Sequence, residues 1–313
     1  FRLRLCGTDK NQANHLPASC FKTAGSFSFG KNNTMEKILL ALDAVNLNTG
    51  ALDFASYLAA ITKSKITGVF LENLADSKHF AAHEMAGNNY SAWQTDRGGE
   101  SYLAKRKQIN DNISFFKDAC ERRSVRCSVH PDSGEPAEEI IRESRYADLL
   151  VIDPETSFRE KFEGTPTAFV KDVLKDIECP VVLAPETFEG IDEIIFTYNG
   201  SKSSMFAIKQ FSYLFPQFDE KKVSLLQVDE EGRELVEERE NLKEWLSSHY
   251  SSVGFTTLIG DAETELLGHL LKKENAFIVM GAYGRSAVSE IFKHNPADRL
   301  VKALNQAIFI AHY

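Results

Sequence analysis

The chain reads as an α/β protein of two tandem domains, each an open, mainly five-stranded parallel sheet with helices on both faces. Three observations predict this. Short apolar runs alternate with longer amphipathic stretches from Met35 onward, as in strand–helix units of a parallel sheet. The pattern pauses at Pro185–Gly190 and then repeats in the same order. The matching runs are also alike: KILLALD (37–43) with EIIFTYN (193–199), ADLLVID (147–153) with AFIVMGA (276–282), and CPVVLAP (179–185) with QAIFIAH (306–312). The unit is far longer than a solenoid repeat, so the pattern predicts duplication of one domain.

In the first repeat, Lys37–Asp43 is predicted as a buried strand ending in an acid, and Gly50–Lys63 as a helix with apolar residues at 52, 54, 55, 58 and 61. Ile66–Leu71 is a second strand. Residues 73–99, polar and glycine-containing, form a long loop. Glu100–Arg123 is a long amphipathic helix and Val125–His130 a third strand. Ser133–Pro136 opens a helix to Arg145, Asp148–Ile152 is a strand, Thr165–Asp176 a helix and Val181–Ala184 a strand. The second repeat gives strands at Glu193–Tyr198, Val223–Val228, Phe255–Ile259, Ala276–Met280 and Ala307–Ala311. Its helices fall at Ser203–Phe215, Arg233–His249, Ala262–Lys273 and Ala297–Ala303. The domains are expected at 35–185 and 191–313. Residues 1–34, rich in Ser, Asn, Gly and Lys without periodicity, are expected to be a disordered extension ahead of a start at Met35.

Bulk properties narrow the functional classes. The chain has 313 residues, 43% of them apolar, and a formal charge of −9. Residues 1–34 hold five basic residues and one acid, so the acidity belongs to the body. That argues against a broad nucleic-acid surface, which needs many phosphate-neutralising cations. No apolar run approaches the ~20 residues of a membrane helix. Five cysteines with no C-x-x-C pair fit a reduced, cytoplasmic protein rather than a disulfide framework.

The stretch with the strongest chemical content is 276–295, AFIVMGAYGRSAVSEIFKHN. A buried strand ending at Met280 leads into Gly281, Gly284 and Arg285. Closely spaced glycines let backbone N–H groups approach a phosphate, because no Cβ intervenes. Arg285 adds a fixed positive charge. Open α/β sheets bind ligands at this carboxyl end of their strands. The competing reading is a tight turn leaving a buried strand.

The element order and these residues resemble the universal stress protein family in its tandem form, over essentially residues 35–313. The fold implied is adenine nucleotide alpha hydrolase-like. The family's phosphate loop is G-x2-G-x9-G-[ST]. Gly281, Gly284 and the spacer 285–293 match it, while His294 and Asn295 replace the closing pair. The resemblance implies ATP, with accompanying Mg2+, in the second domain. Asn199, where ATP-binding members carry an acid, would meet the ribose, flanked by Tyr198 and Gly200. Val228 would meet the adenine, and Gly281, Gly284, Arg285 and Asn295 the phosphates. Family members pair last strands between copies, and tandem members satisfy that pairing within one chain. A homodimer or an intrachain pseudo-dimer is therefore expected, with a protein partner of unknown identity. The first domain departs from the pattern. Asp43 matches the strand-ending acid, but Asp153-Pro154-Glu155 replaces the glycine loop, and Gly164-Thr165 is its remnant. Two acids there would repel a triphosphate.

Other motifs have simpler explanations. Gly200-Ser201-Lys202-Ser203 resembles the end of a Walker loop whose first glycine is Ile195, so helix capping by Ser201 or Ser203 explains it better. His79 and His83, beside Glu84, lack a third metal ligand. The charge run Asp229–Glu240 is a solvated helix face, and Tyr90 and Trp93 pack within their own loop. Cys120 and Cys127 flank a helix–strand junction as small buried groups. No catalytic constellation is present, so ATP hydrolysis is expected to be slow at most. The rival class is a nucleotide-independent interaction protein of the stress response.

Overall fold

The computed structural model describes residues 35–72, 100–132, 134–159, 162–229, 236–282 and 305–312. Ten strands form one sheet: β1 Lys37–Asp43, β2 Lys65–Leu71, β3 Cys127–Asp132, β4 Leu149–Ile152, β5 Val181–Leu183, β6 Glu193–Thr197, β7 Lys222–Asp229, β8 Ser252–Ile259, β9 Ala276–Ala282 and β10 Ala307–His312. Their order is β3-β2-β1-β4-β5-β10-β9-β6-β7-β8. Reading inward from either edge gives the same succession, third, second, first, fourth, fifth. Every pairing is parallel except the central one. There β10 runs antiparallel to β5, with Phe309 opposite Val182. The two sets of five strands foreseen in the sequence are thus continuous.

Seven α-helices are described: α1 Thr49–Thr62, α2 Glu100–Arg122, α3 Pro136–Ser144, α4 Ala168–Asp176, α5 Lys202–Leu214, α6 Val236–Ser247 and α7 Ala262–Leu270. Strand alternation divides the apolar residues between two layers. Ile38, Leu40, Phe277 and Phe309 face α1, α2, α5 and α6, which contribute Phe54, Phe116, Phe211 and Leu246. Leu39, Ile278 and Ile308 face α3, α4 and α7, which contribute Ile140, Val173 and Leu270. Phe211 sits at the densest point of the first layer. Its ring centroid lies 4.9 Å from Phe277, 5.3 Å from Phe309, 5.0 Å from Phe215 and 5.8 Å from Phe196.

Several boundaries differ from the pattern reading for local reasons. β3 begins at Cys127 because Ser124 is left-handed, at φ 56°, and the Val125 N–H donates back to the Cys120 carbonyl at 2.9 Å. Val125 therefore closes the helix end. β3 carries Pro131 and, among the described residues, pairs only with β2; an edge position is where a strand accommodates proline. α4 starts at Ala168 because the Thr167 hydroxyl caps it, accepting the Val170 N–H. The expected segment 1–34, the loop 73–99 with His79, His83, Tyr90 and Trp93, and the helix Ala297–Ala303 lie outside the described residues.

Glu193, at the start of β6, is a buried acid. Its carboxylate accepts from Lys273 Nζ at 2.8 Å, pairs with Lys222 Nζ at 3.0 Å and takes the Ser224 hydroxyl. Burial by itself would raise its pKa; these partners prevail and hold it down at about 2, against an ordinary value of 4.5. A depressed carboxylate stabilises the folded state above its unfolded pKa. That stability is lost as the pH falls through the folded pKa. Glu193→Gln is expected to cost about 1–3 kcal/mol at neutral pH, the scale of losing one partner of a hydrogen-bonded charge cluster. The gap to the parent should narrow between about pH 4.5 and pH 2. Urea denaturation at pH 7 and pH 3 measures both.

Candidate functional site at the carboxyl ends of the second-half strands

The end of β6 leads into α5, and the end of β9 meets the first turn of that helix. The Thr197 hydroxyl, in the last residue of β6, donates to the Val279 carbonyl of β9 at 3.1 Å, tying two strand ends together. Tyr198 turns inward and is buried; its hydroxyl donates to Glu238 Oε2 on α6 at 2.8 Å. Asn199 and Gly200 are exposed. The Asn199 side-chain oxygen accepts the Ser201 N–H at 3.2 Å, and Gly200 has φ 79°, a backbone region that favours glycine. Ser201 is the N-cap of α5. Its hydroxyl oxygen accepts the Ser204 N–H at 3.1 Å, and the Ser204 hydroxyl donates to the Ser201 carbonyl at 2.8 Å. Between the two capping candidates, Ser201 makes the bond.

Gly281 is set by contact. A Cβ there would lie 2.3 Å from the Ser203 carbonyl carbon and oxygen and 2.5 Å from the Ser204 nitrogen. Ordinary carbon contacts begin near ~3.5 Å. The end of β9 can touch the first turn of α5 only with hydrogen at this position. Packing therefore accounts for Gly281 whether or not a phosphate is bound.

The remaining expected residues are placed as follows. Met280 is buried in the opposite layer with Ile195, Leu226 and Leu270, away from α5. Val228 is half-buried near the end of β7, opposite Leu258 of β8. Gly284, Arg285, His294 and Asn295 lie outside the described residues. Beneath α6, Tyr198, Gln227, Arg239, Leu242, Phe255 and Thr257 line a cavity of about 20 Å³, room for a water molecule only. Thr197 and Glu238 were missed in the sequence. Glu238 sits within the charge run, and nothing local marks its bond to a tyrosine 40 positions away.

The first half carries a charged version of this arrangement. Asp43 Oδ1 accepts the N–H groups of Val45 at 2.8 Å and Asn46 at 3.0 Å. It closes the turn after β1 much as Asn199 does after β6. Asn48 caps α1 and donates through Nδ2 to Asp153 Oδ2 at 2.7 Å. Strand register corrects the alignment of ADLLVID with AFIVMGA by one position: Leu40 pairs with Val151 and Phe196 with Val279, so Asp153 is the counterpart of Gly281 and places a carboxylate beside the N-terminus of α1. Burial pushes its carboxyl above the usual range. Glu155 beyond it accepts the Thr165 hydroxyl at 3.2 Å. Among the described residues no cluster of His, Cys, Asp and Glu could hold a metal, and no helix is long and apolar enough to cross a membrane.

No protein-family model matches the chain, and no curated protein does. Solved structures do match. A universal stress protein from Archaeoglobus fulgidus DSM 4304 aligns over 90% of this chain and 99% of its own, at 15% identity and a TM-score of 0.61. A putative universal stress protein from Pseudomonas aeruginosa aligns over 90% and 94%, at 11% identity and a TM-score of 0.49. A universal stress protein family protein from Arabidopsis thaliana with AMP bound aligns over 47% of this chain and 88% of its own, at 16% identity and a TM-score of 0.30. The chain has the universal stress protein fold, doubled in tandem.

Proposed function

We propose that this chain, built on the doubled universal stress protein fold, is a cytoplasmic stress-response regulator that binds one adenine nucleotide, ATP, in its second half. The observation that carries the reading is the contrast between two equivalent corners. In the second half the first turn of α5 meets Gly281 and is opened by Asn199, Gly200 and Ser201. In the first half the matching position holds the Asp153 carboxylate. A helix N-terminus favours an anion, and a fixed carboxylate repels one.

Asn199 presents its amide to the ribose hydroxyls while its oxygen keeps the turn closed. Val228 lies against the adenine. Gly284, Arg285, His294 and Asn295 contact the phosphates. Mg2+ would accompany the triphosphate and offset its charge. Occupancy rather than turnover is the signal.

The rival reading is a nucleotide-independent interaction protein. It is favoured by the packing contact that explains Gly281 without a ligand. Calorimetric titration of the full chain with MgATP separates the two. One site per chain is expected, with Arg285→Ala binding roughly tenfold more weakly, the worth of a charge-assisted phosphate contact. Absence of saturable heat at millimolar ATP would leave the interaction reading standing.

A further inference from the structure

Cys120 and Cys127 form a pair that the nucleotide reading does not use. Cys120 lies in the last turns of α2 and is fully buried. Cys127 opens β3 and is partly buried. Between them the chain reverses tightly. The Cys120 carbonyl accepts the Arg123 N–H at 3.1 Å and the Val125 N–H at 2.9 Å, and the Glu121 carbonyl accepts the Ser124 N–H at 2.9 Å. This reversal sets Cys127 against the apolar cluster that contains Cys120, with the two thiols close enough to influence each other electrostatically.

Both sides of the pair are held by packed structure. α2 is anchored by Phe116, fully buried against Phe70 of β2 with ring centroids 5.7 Å apart. Cys127 is held by its pairing with Ile66. The surroundings differ in access. Cys127 lines an open groove of about 490 Å³ together with Lys117, Glu121, Ser124 and Arg126. Cys120 faces the core.

We propose that Cys120 and Cys127 are a peroxide-reactive thiol pair, in which Cys127 meets the oxidant in the groove and Cys120 resolves it to an intramolecular disulfide. The chemistry balances. The Cys127 thiolate attacks one oxygen of a hydroperoxide; an S–O bond forms, the O–O bond breaks, and the departing oxygen takes a proton to leave as water or an alcohol. The Cys120 thiolate then attacks the Cys127 sulfur; the S–S bond forms, the S–O bond breaks, and the hydroxide leaves as water with the proton given up by Cys120. Two thiols lose two electrons and the peroxide gains them.

The order follows from burial. Burial, and Cys127 beside it, push the Cys120 thiol up to about 12. A buried thiol with little thiolate is a poor first reactant and becomes competent when its target is in contact. The product would tie the end of α2 to the outer strand β3.

The test uses the full chain and hydrogen peroxide, followed by alkylation under denaturing conditions and trypsin. Cleavage yields DACER, residues 118–122, and CSVHPDSGEPAEEIIR, residues 127–142. The expected result is these two peptides joined by a disulfide, released by reductant, with Cys179, which is buried, still alkylated. In Cys120→Ser the resolving thiol is missing, so Cys127 should accumulate as sulfenic acid. Trapping by a cyclic 1,3-diketone should rise roughly fivefold over the parent. Recovery of Cys120 alkylated while Cys127 runs on to sulfinic acid overturns the proposal, as does a Cys127–Cys127 crosslink between chains. Mapping the parent chain decides the matter even if the variant fails to fold.

Discussion

Replacing Gly281 with alanine is expected to lower stability by about 2–3 kcal/mol, the upper part of the range for overpacking a close contact, and, on the function proposed above, to abolish nucleotide binding with it. The added methyl would stand 2.3 Å from the carbonyl carbon and oxygen of Ser203. Its neighbours are main-chain atoms in the first turn of α5, so no side chain can swing aside. β9 and α5 must separate by about 1 Å to restore a normal contact distance. Separation would strain the Thr197–Val279 bond that joins the strand ends. Urea denaturation of the parent and variant measures the loss; an unchanged midpoint would show that β9 and α5 do not meet as described. Because folding and binding fail together here, this variant cannot identify a ligand site. Arg285→Ala, the variant in the titration, removes atoms rather than adding them.

Truncating Phe211 to alanine should have a larger effect, about 3–5 kcal/mol, as for a buried phenylalanine surrounded by other rings. The side chain is fully buried and touches rings on three different strands, Phe196 on β6, Phe277 on β9 and Phe309 on β10. Phe277 in turn meets Phe54 of α1 at 5.8 Å. The cavity would therefore open where the two sets of strands join. A loss below about 1 kcal/mol, measured by denaturation, would mean that the surrounding rings collapse into the space, which interior packing density makes difficult.

Much of this architecture was legible because it is local. KILLALD, ADLLVID and AFIVMGA each announce a buried strand by composition, and their recurrence in one order gives the duplication. Glycine, serine and asparagine around 199–204 announce a helix start. What escaped depends on approach in space. Nothing around Gly281 distinguishes a phosphate-cradling glycine from one pressed against Ser203. Nothing near Tyr198 points to Glu238. Val125, apolar and β-branched, reads as strand, yet the left-handed Ser124 before it assigns it to the helix end. The proximity of Cys120 and Cys127 depends on the same turn, so a pair that looks inert in sequence becomes a pair only when the chain reverses.

The antiparallel seam between β5 and β10 also bears on how the molecule is made. β10 is synthesised after every other strand of the sheet, yet it occupies the middle, between β5 and β9. Until it emerges, the five amino-terminal strands and the four that follow them each present a bare, apolar inner border, Val181–Leu183 on one side and Phe277–Met280 on the other. Unpaired borders of this kind recruit other chains. The chain therefore carries its greatest aggregation hazard while β10 is still unplaced, and that single strand heals both borders at once.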